Sequence, residues 1–250
     1  MIQTAIEAAK SAGKILMEKR GHVNSIKIKK DSTLVTEVDI ACEEKIRGII
    51  EKKYPGHGFL GEEEGISNKN ADYIWIIDPL DGTHNYIYGL PLFGVSIALA
   101  YKKEIIAGVV FFPVLNQLFT AEKGKGSFVN GKRLKVSDKS LSESLVSISS
   151  KCFQNSSEKA QRVCKEILKK AFEIRITGCA SYSLINIATN IFGVWLSSSA
   201  KIWDAAAGKV IVEEAGGFVT NFEGKQITFD SKNFLAANKE NHKEVLELLK

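Results

Sequence analysis

The sequence predicts a mixed fold in which helices and sheets alternate, an α+β first half followed by a layered α/β second half. Three observations predict it. Strand-like runs joined by hairpin signals fill positions 94–129. Helical and strand-like runs alternate after Ser137. The chain has 250 residues, enough for one large or two small domains, and its 44% apolar and 25% charged content is ordinary for a globular protein.

The elements follow in order. Ile2, Ala5, Ile6, Ala9, Ala12, Gly13 and Leu16 share one helical face, which ends near Gly21. Positions 26–30 alternate like a short strand. Thr36-x-x-Asp39 resembles a capping box, with Asp in place of the usual Glu, and opens a helix through Lys53 that Tyr54-Pro55-Gly56 ends. The apolar run 73–77 reads as a buried strand, stopped by Asp78-Pro79. Strands are expected over 94–101, 105–112, 117–121 and 127–129. Lys102-Lys103 and Asn130-Gly131 are hairpin turns, and Gly124 and Gly126 mark a third turn. Lys123 to Gly126 lacks the Walker spacing and opens no helix, so it reads as a plain turn rather than a phosphate loop.

After Ser137 a serine-rich, irregular stretch runs to 157, with one strand at 145–148. Then come a helix (158–172), a strand (173–176), a helix (181–189) and a strand (192–196). Asp204 begins a helix through Ala215, ended by Gly216-Gly217. Strands at 218–220 and 234–236 and a helix through Leu249 close the chain. A soft boundary near Leu134 separates 1–134 from 135–250.

The formal net charge is +5. The lysines are scattered and no basic helix is interleaved with aromatics, so a nucleic-acid partner is not favoured. A mildly positive field still helps to collect small anions. No apolar run approaches a membrane span. Glu7, Lys10, Lys14 and Glu18 at helical spacing argue against a signal peptide. Cys42, Cys152, Cys164 and Cys179 lack paired spacing and read as reduced thiols of a cytoplasmic protein, not as a zinc site or a disulfide frame.

The chemistry gathers in three stretches. Trp75-Ile-Ile-Asp78-Pro-Leu80-Asp81-Gly82-Thr83-His84-Asn85 puts two carboxylates, a hydroxyl and turn carbonyls at a strand end. Hard oxygens of this kind suit Mg²⁺. Gly61-Glu62-Glu63-Glu64-Gly65 follows the apolar Phe59-Leu60, and Trp203-Asp204-Ala-Ala-Ala-Gly208 puts a carboxylate at a helix start. Singly, these read as a polar turn, a solvated loop and an N-cap.

Together and in this order they resemble the inositol monophosphatase superfamily of Mg²⁺-dependent, lithium-sensitive phosphatases. The resemblance runs from about Leu34 to Gly217 and extends loosely to both ends. It implies a layered sandwich of alternating helices and sheets and a homodimer. Residues 1–134 then carry most metal ligands, and 135–250 carry Asp204 and the alcohol-side pocket. Glu62, Asp78, the Leu80 carbonyl and Thr83 are implied for a first ion, Asp78, Asp81 and Asp204 for a second, and Glu62 for a third, loosely held ion. Asp39, in Val35-Thr-Glu-Val-Asp39, is implied to bond Thr83 so that the pair orients the attacking water; supporting its own helix start is the compatible alternative. Backbone amides of Gly82, Thr83 and His84 face phosphate oxygens in this reading. His84 itself reads as an exposed turn residue, with metal ligand and phosphate contact as alternatives.

Gly178-Cys179-Ala180-Ser181 matches the substrate segment of the family, with close packing at a helix start as an equal alternative. Inositol-cleaving members carry a Glu where this chain has Ser197, and an Asp where it has Gly193. The expected substrate is therefore inositol 1-phosphate or a related sugar phosphate. Fructose 1,6-bisphosphate, histidinol phosphate and 3′-phosphonucleotides remain open. Lys201 could attract a second phosphate, or be a solvated loop lysine. A noncatalytic, nucleic-acid-associated binding protein is the reading from another class. The intact carboxylate set argues against it, because clustered carboxylates without a cation repel one another.

Overall fold

The computed structural model describes residues 1–29, 34–153 and 158–249. Lys30, which closes the strand expected at 26–30, and positions 154–157 of the serine-rich stretch lie outside the described residues.

Helix α1 (Ile2–Lys19) leads to the antiparallel pair β1 (Ile26–Ile28) and β2 (Leu34–Thr36), and then to α2 (Glu37–Lys53). The capping box forms. The Thr36 hydroxyl accepts from the Val38 and Asp39 amides, and the Asp39 carboxylate accepts from the Thr36 amide. Next come β3 (Gly58–Gly61), β4 (Gly65–Ser67), β5 (Tyr73–Asp81), the short α3 (Thr83–Ile87), β6 (Gly94–Tyr101), β7 (Glu104–Phe112), β8 (Gln117–Glu122), β9 (Gly126–Val129) and β10 (Lys132–Arg133). They make an eight-stranded sheet ordered β10-β9-β8-β7-β6-β5-β3-β4, in which β3 and β5 run parallel. Both two-residue hairpin turns take the positive φ such turns require, 49° and 69° at Lys102 and Lys103, and 47° and 80° at Asn130 and Gly131.

One boundary differs from the sequence reading. Strand β5 does not stop at Ile77 but runs on to Asp81. Asp78 faces Ser96 of β6 and Asp81 faces Gly94, so β5 spends one more residue than its partner. Pro79 sits inside that bulge, where no ladder N–H is required of it.

The second sheet is built from β11 (Leu145–Ile148), β12 (Glu173–Arg175), β13 (Phe192–Ser197), β14 (Phe218–Thr220) and β15 (Phe234–Ala237), in the order β12-β11-β13-β15-β14. Its helices are α4 (Glu158–Lys170), α5 (Ala180–Ala188), α6 (Ile202–Glu214) and α7 (Lys239–Leu248).

Alternation along β5 explains the layering. Trp75 and Ile77 point to one side, into a core shared with Ala9, Leu16, Cys42 and Ile46 of α1 and α2. Ile74 and Ile76 point to the other, into a core shared with α5 and α6, which also takes Trp195, Phe234 and Ala236 of the smaller sheet. Val163 and Ile167 of α4 and Val245 of α7 cover that sheet's outer face. The order is helices, sheet, helices, sheet, helices. Fully burying one of these aliphatic or aromatic side chains stabilises by roughly 1.5–3 kcal/mol. The stack places the ends of β3 and β5 beside the N-termini of α2, α5 and α6.

Candidate active site

Asp78 lies at the bulge of β5, 1% exposed, with Oδ1 accepting the Leu80 amide at 3.1 Å. Burial first, and then the charges of Glu62, Asp81, Asp204 and Asp39, hold its carboxyl well above the usual range. Acidic side chains from β5, α2, α6 and the turn after β3 thus act on one buried point.

Asp204 is the third residue of α6. The cap is Lys201, whose amide donates to Asp204 Oδ2 at 2.7 Å. The N-cap reading of Asp204 is therefore corrected. The helix starts earlier because Ile202 is buried in the middle core. Burial, followed by the charge of Asp81, raises the Asp204 carboxyl well above its ordinary range.

Asp81 turns both oxygens toward the N-terminus of α5. Oδ1 accepts the Ala180 amide at 3.1 Å, and Oδ2 accepts the Ser181 amide and the Cys179 thiol, the latter at 3.2 Å. Burial and the charge of Asp81 push the Cys179 thiol well up, so it is a donor to Asp81. Gly82 follows with φ 89°, and a Cβ there would stand 2.7 Å from the Leu92 carbonyl. Only glycine passes the chain from Asp81 into α3.

Asp39 and Thr83 meet. The Thr83 hydroxyl lies 3.1 Å from Asp39 Oδ1 and 3.0 Å from the Leu80 carbonyl, two acceptors for one proton. Asp39 Oδ2 is held by the Thr36 amide at 2.8 Å and by the Thr36 hydroxyl. Burial raises the Asp39 carboxyl, against the lowering effect of these bonds.

Glu62 follows β3, its amide bonded to the Ile77 carbonyl at 3.1 Å, directly beside Asp78. Burial raises its carboxyl, with Lys29 opposing. Lys29, which the sequence reading passed over, donates to Glu62 Oε1 at 2.8 Å and to Glu63 Oε1 at 2.7 Å. Sequence alone also missed Glu43 and Arg47, which support the Glu62 turn from α2. A signal existed: Glu43 follows Asp39 by four positions and so shares its helix face.

His84 is exposed on α3. Ser197 is the last residue of β13, 2% exposed, on the same face as Trp195 and so toward the middle layer. A Cβ at Gly193 would meet the Ser144 hydroxyl at 2.3 Å and Asn241 at 3.0 Å, so that departure backs onto the turn before β11 and onto α7. Lys201 is exposed at the start of α6.

Among the described residues, no three acidic, histidine or cysteine side chains already close around one point. The donors form an open, all-oxygen set. Such a set fits a hard cation that keeps waters and shares its shell with phosphate, and does not fit zinc.

The sequence profile of the inositol monophosphatase family matches residues 1–250. The chain belongs to the inositol monophosphatase family. It is 37% identical over 247 residues to the Nus factor SuhB of Pseudomonas aeruginosa, covering 95% of this chain and 91% of that one. It is 37% identical over 256 residues to the fructose-1,6-bisphosphatase/inositol-1-monophosphatase of Aquifex aeolicus, covering 100% and 95%. Its fold is similar to the crystal structure of the extragenic suppressor protein suhB from Bartonella henselae, with a TM-score of 0.91 and 33% identity over 99% of this chain and 97% of that one. Among the described residues, no helix is long and apolar enough to cross a membrane.

Proposed function

We propose that this family member is a Mg²⁺-dependent phosphomonoester hydrolase acting on inositol 1-phosphate or a related sugar phosphate. Relatives named Nus factor and relatives named phosphatase both align along nearly the whole chain, so overall likeness does not choose between them. The observation that carries the reading is the buried Asp78, on which four other carboxylates act. A binding protein gains nothing from that repulsion, whereas a phosphatase uses it to hold cations against phosphate.

Glu62, Asp78, the Leu80 carbonyl, Asp81 and Asp204 are the residues that would hold Mg²⁺. Ions there would neutralise phosphoryl charge and acidify water. Asp39 and Thr83 supply the proton path. Thr83 Oγ1 directs its proton to Asp39 Oδ1, leaving an oxygen lone pair for a proton of the attacking water. As the water oxygen bonds to phosphorus and the ester P–O bond breaks, that proton passes to Thr83 Oγ1 and the Thr83 proton passes to Asp39. Burial of Asp39 raises its affinity for that proton. The sugar alkoxide leaves and is protonated by solvent. In this reading the backbone amides of Gly82, Thr83 and His84 would donate to phosphate oxygens, and Ala180, Ser197 and Lys201 would serve the alcohol side.

The test is phosphate release from a panel of esters with Mg²⁺ and with chelator, for wild type and Thr83→Val. The expected result is Mg²⁺-dependent turnover that falls at least ~100-fold in the variant, in line with loss of general-base help. A well-folded protein that releases no phosphate from any ester with Mg²⁺ present excludes the reading.

A further inference from the structure

Glu43 is a fully buried carboxylate on α2, 0% exposed, and outside the set of acids described above. It is paired with Arg47, whose Nε and Nη2 lie 2.9 and 2.8 Å from Glu43 Oε1. A buried ion pair is a poor way to stabilise a core, since apolar residues of the same size do at least as well. The remaining contacts of Glu43 show what the pair does. Oε2 accepts the Glu63 amide at 2.8 Å and Oε1 accepts the Glu64 amide at 3.2 Å. These are the two amides directly after Glu62. Arg47 completes the grip by donating to the Gly65 carbonyl at 2.8 Å and lying over the Phe59 ring at 5.1 Å.

The backbone at Glu62 is therefore clamped on both sides. Its own amide is fixed to Ile77, the residue before Asp78, and the next two amides are fixed to Glu43. The preceding residue leaves no slack, because a Cβ on Gly61 would stand 1.8 Å from Glu43 Oε1. Charge-assisted bonds to amides are stronger than neutral ones and fix geometry as well as energy.

We propose that Glu43 is the positioning residue that aims the Glu62 carboxylate at the cation site, acting through the Glu63 and Glu64 amides and held in place by Arg47. This rests on the reading of Glu62 as a Mg²⁺ ligand. Replacing Glu43 by Gln keeps one oxygen but turns an NH2 donor toward the other amide, which lets the turn relax and takes Glu62 off its line beside Asp78. Groups that orient a ligand from behind typically change metal affinity 10–100-fold.

The test is a double-mutant cycle read by calorimetric titration with Mn²⁺ in the absence of substrate. The proteins are wild type, Glu43→Gln, Glu62→Gln and the double variant, each checked for folding by circular dichroism. Glu43→Gln is expected to weaken Mn²⁺ binding about tenfold or more, and the double variant to bind no more weakly than Glu62→Gln alone. Gly61→Ala, which crowds the same carboxylate, is expected to show the same signature and serves if Glu43→Gln does not fold. Independent, additive losses mean that Glu43 acts on the fold in general and overturn the proposal. Unchanged Mn²⁺ binding in Glu62→Gln overturns it at its foundation, because Glu62 is then no ligand. Tight binding in Glu62→Gln with loss in Glu43→Gln overturns the route through Glu62 while leaving the cation site in place.

Discussion

The ammonium of Lys29 stands 2.8 Å from Oε1 of Glu62, on an oxygen that the proposed function assigns to Mg²⁺. The same ammonium reaches Glu63 at 2.7 Å. Burial works against this charge, but the attraction of Glu62 and then Glu63 outweighs it and raises the pKa of Lys29. Lys29 and a divalent ion thus compete for one carboxylate. Lys29→Met is expected to lower the melting temperature in chelator, because two partly buried acids lose their partner. It is expected to tighten Mg²⁺ binding several-fold, because a competing charge is gone. Scanning fluorimetry in chelator and calorimetric Mg²⁺ titration check the two halves. Weaker Mg²⁺ binding in the variant means that Lys29 assists the ion instead.

Asp78→Asn separates activity from stability. The amide keeps an oxygen for the Leu80 N–H but drops a charge that is buried among four others. Turnover is expected to fall at least ~10³-fold, several kcal/mol of transition-state stabilisation. In chelator the variant is expected to melt higher by several degrees, since removing an unfavourable buried charge stabilises by roughly 1–2 kcal/mol and each kcal/mol shifts a chain of this size by about 2–4 °C. Near-native turnover takes Asp78 out of the cation site. A lower melting temperature contradicts the repulsion.

Of the residues that the family resemblance implies as ligands, Asp78, Leu80 and Asp81 are close along the chain, and Glu62 is tied by its amide to Ile77, the residue before Asp78. Asp78, Asp81 and Thr83 lie within six positions, on the bulged end of β5 and the first residue of α3, so their proximity was legible in the chain itself. The Asp39–Thr83 contact spans two elements and was available only through the resemblance. The contacts of Lys29, Glu43 and Arg47 were not legible, although the spacing of Glu43 from Asp39 put the two on one helix face. Each looks like a surface charge until β3 and α2 are stacked, and only then does Glu43 become a buried acceptor for backbone amides. The strand boundary at Ile77 was missed because Asp-Pro normally ends a ladder, and here a bulge absorbs the missing donor.

The same carboxylates set a pH dependence. Burial lifts Glu63 from its ordinary 4.5 to about 7, and raises Glu62, Asp78 and Asp204 as well. A carboxyl raised in the folded state binds its proton more tightly there than in the unfolded chain. Its contribution to stability is full below pH ~4.5 and is lost as pH rises through ~7. In chelator, the melting temperature of Asp78→Asn minus that of wild type is therefore expected to widen between pH 5 and 7.5. The rise produced by Mg²⁺ in wild type is expected to grow over the same range, because ion binding must displace protons. A difference that stays flat over this range means that Asp78 is ordinarily ionised.

Substrate breadth turns on Ser197. It closes β13 on the face that carries Trp195, and the chain then runs through Lys201 into the helix bearing Asp204. Inositol-cleaving members resembled by this chain place a carboxylate at this position. A hydrogen bond to a charged group contributes ~1.5–3 kcal/mol, so its loss removes roughly tenfold or more of discrimination for a polyhydroxylated ring. Serine is short and uncharged, and does not repel a second phosphate. Lys201 is exposed at the cap of α6, and we propose that its charge attracts the second phosphate. Comparable kcat/KM values are expected for inositol 1-phosphate, fructose 1,6-bisphosphate and glycerol 2-phosphate, with Ser197→Glu shifting preference toward inositol 1-phosphate about tenfold and away from the bisphosphate. Because Ser197 is buried, the circular dichroism and melting temperature of Ser197→Glu are measured alongside. A wild type that already prefers inositol 1-phosphate more than ~100-fold, a gap above ~2.7 kcal/mol, removes the case for a permissive pocket.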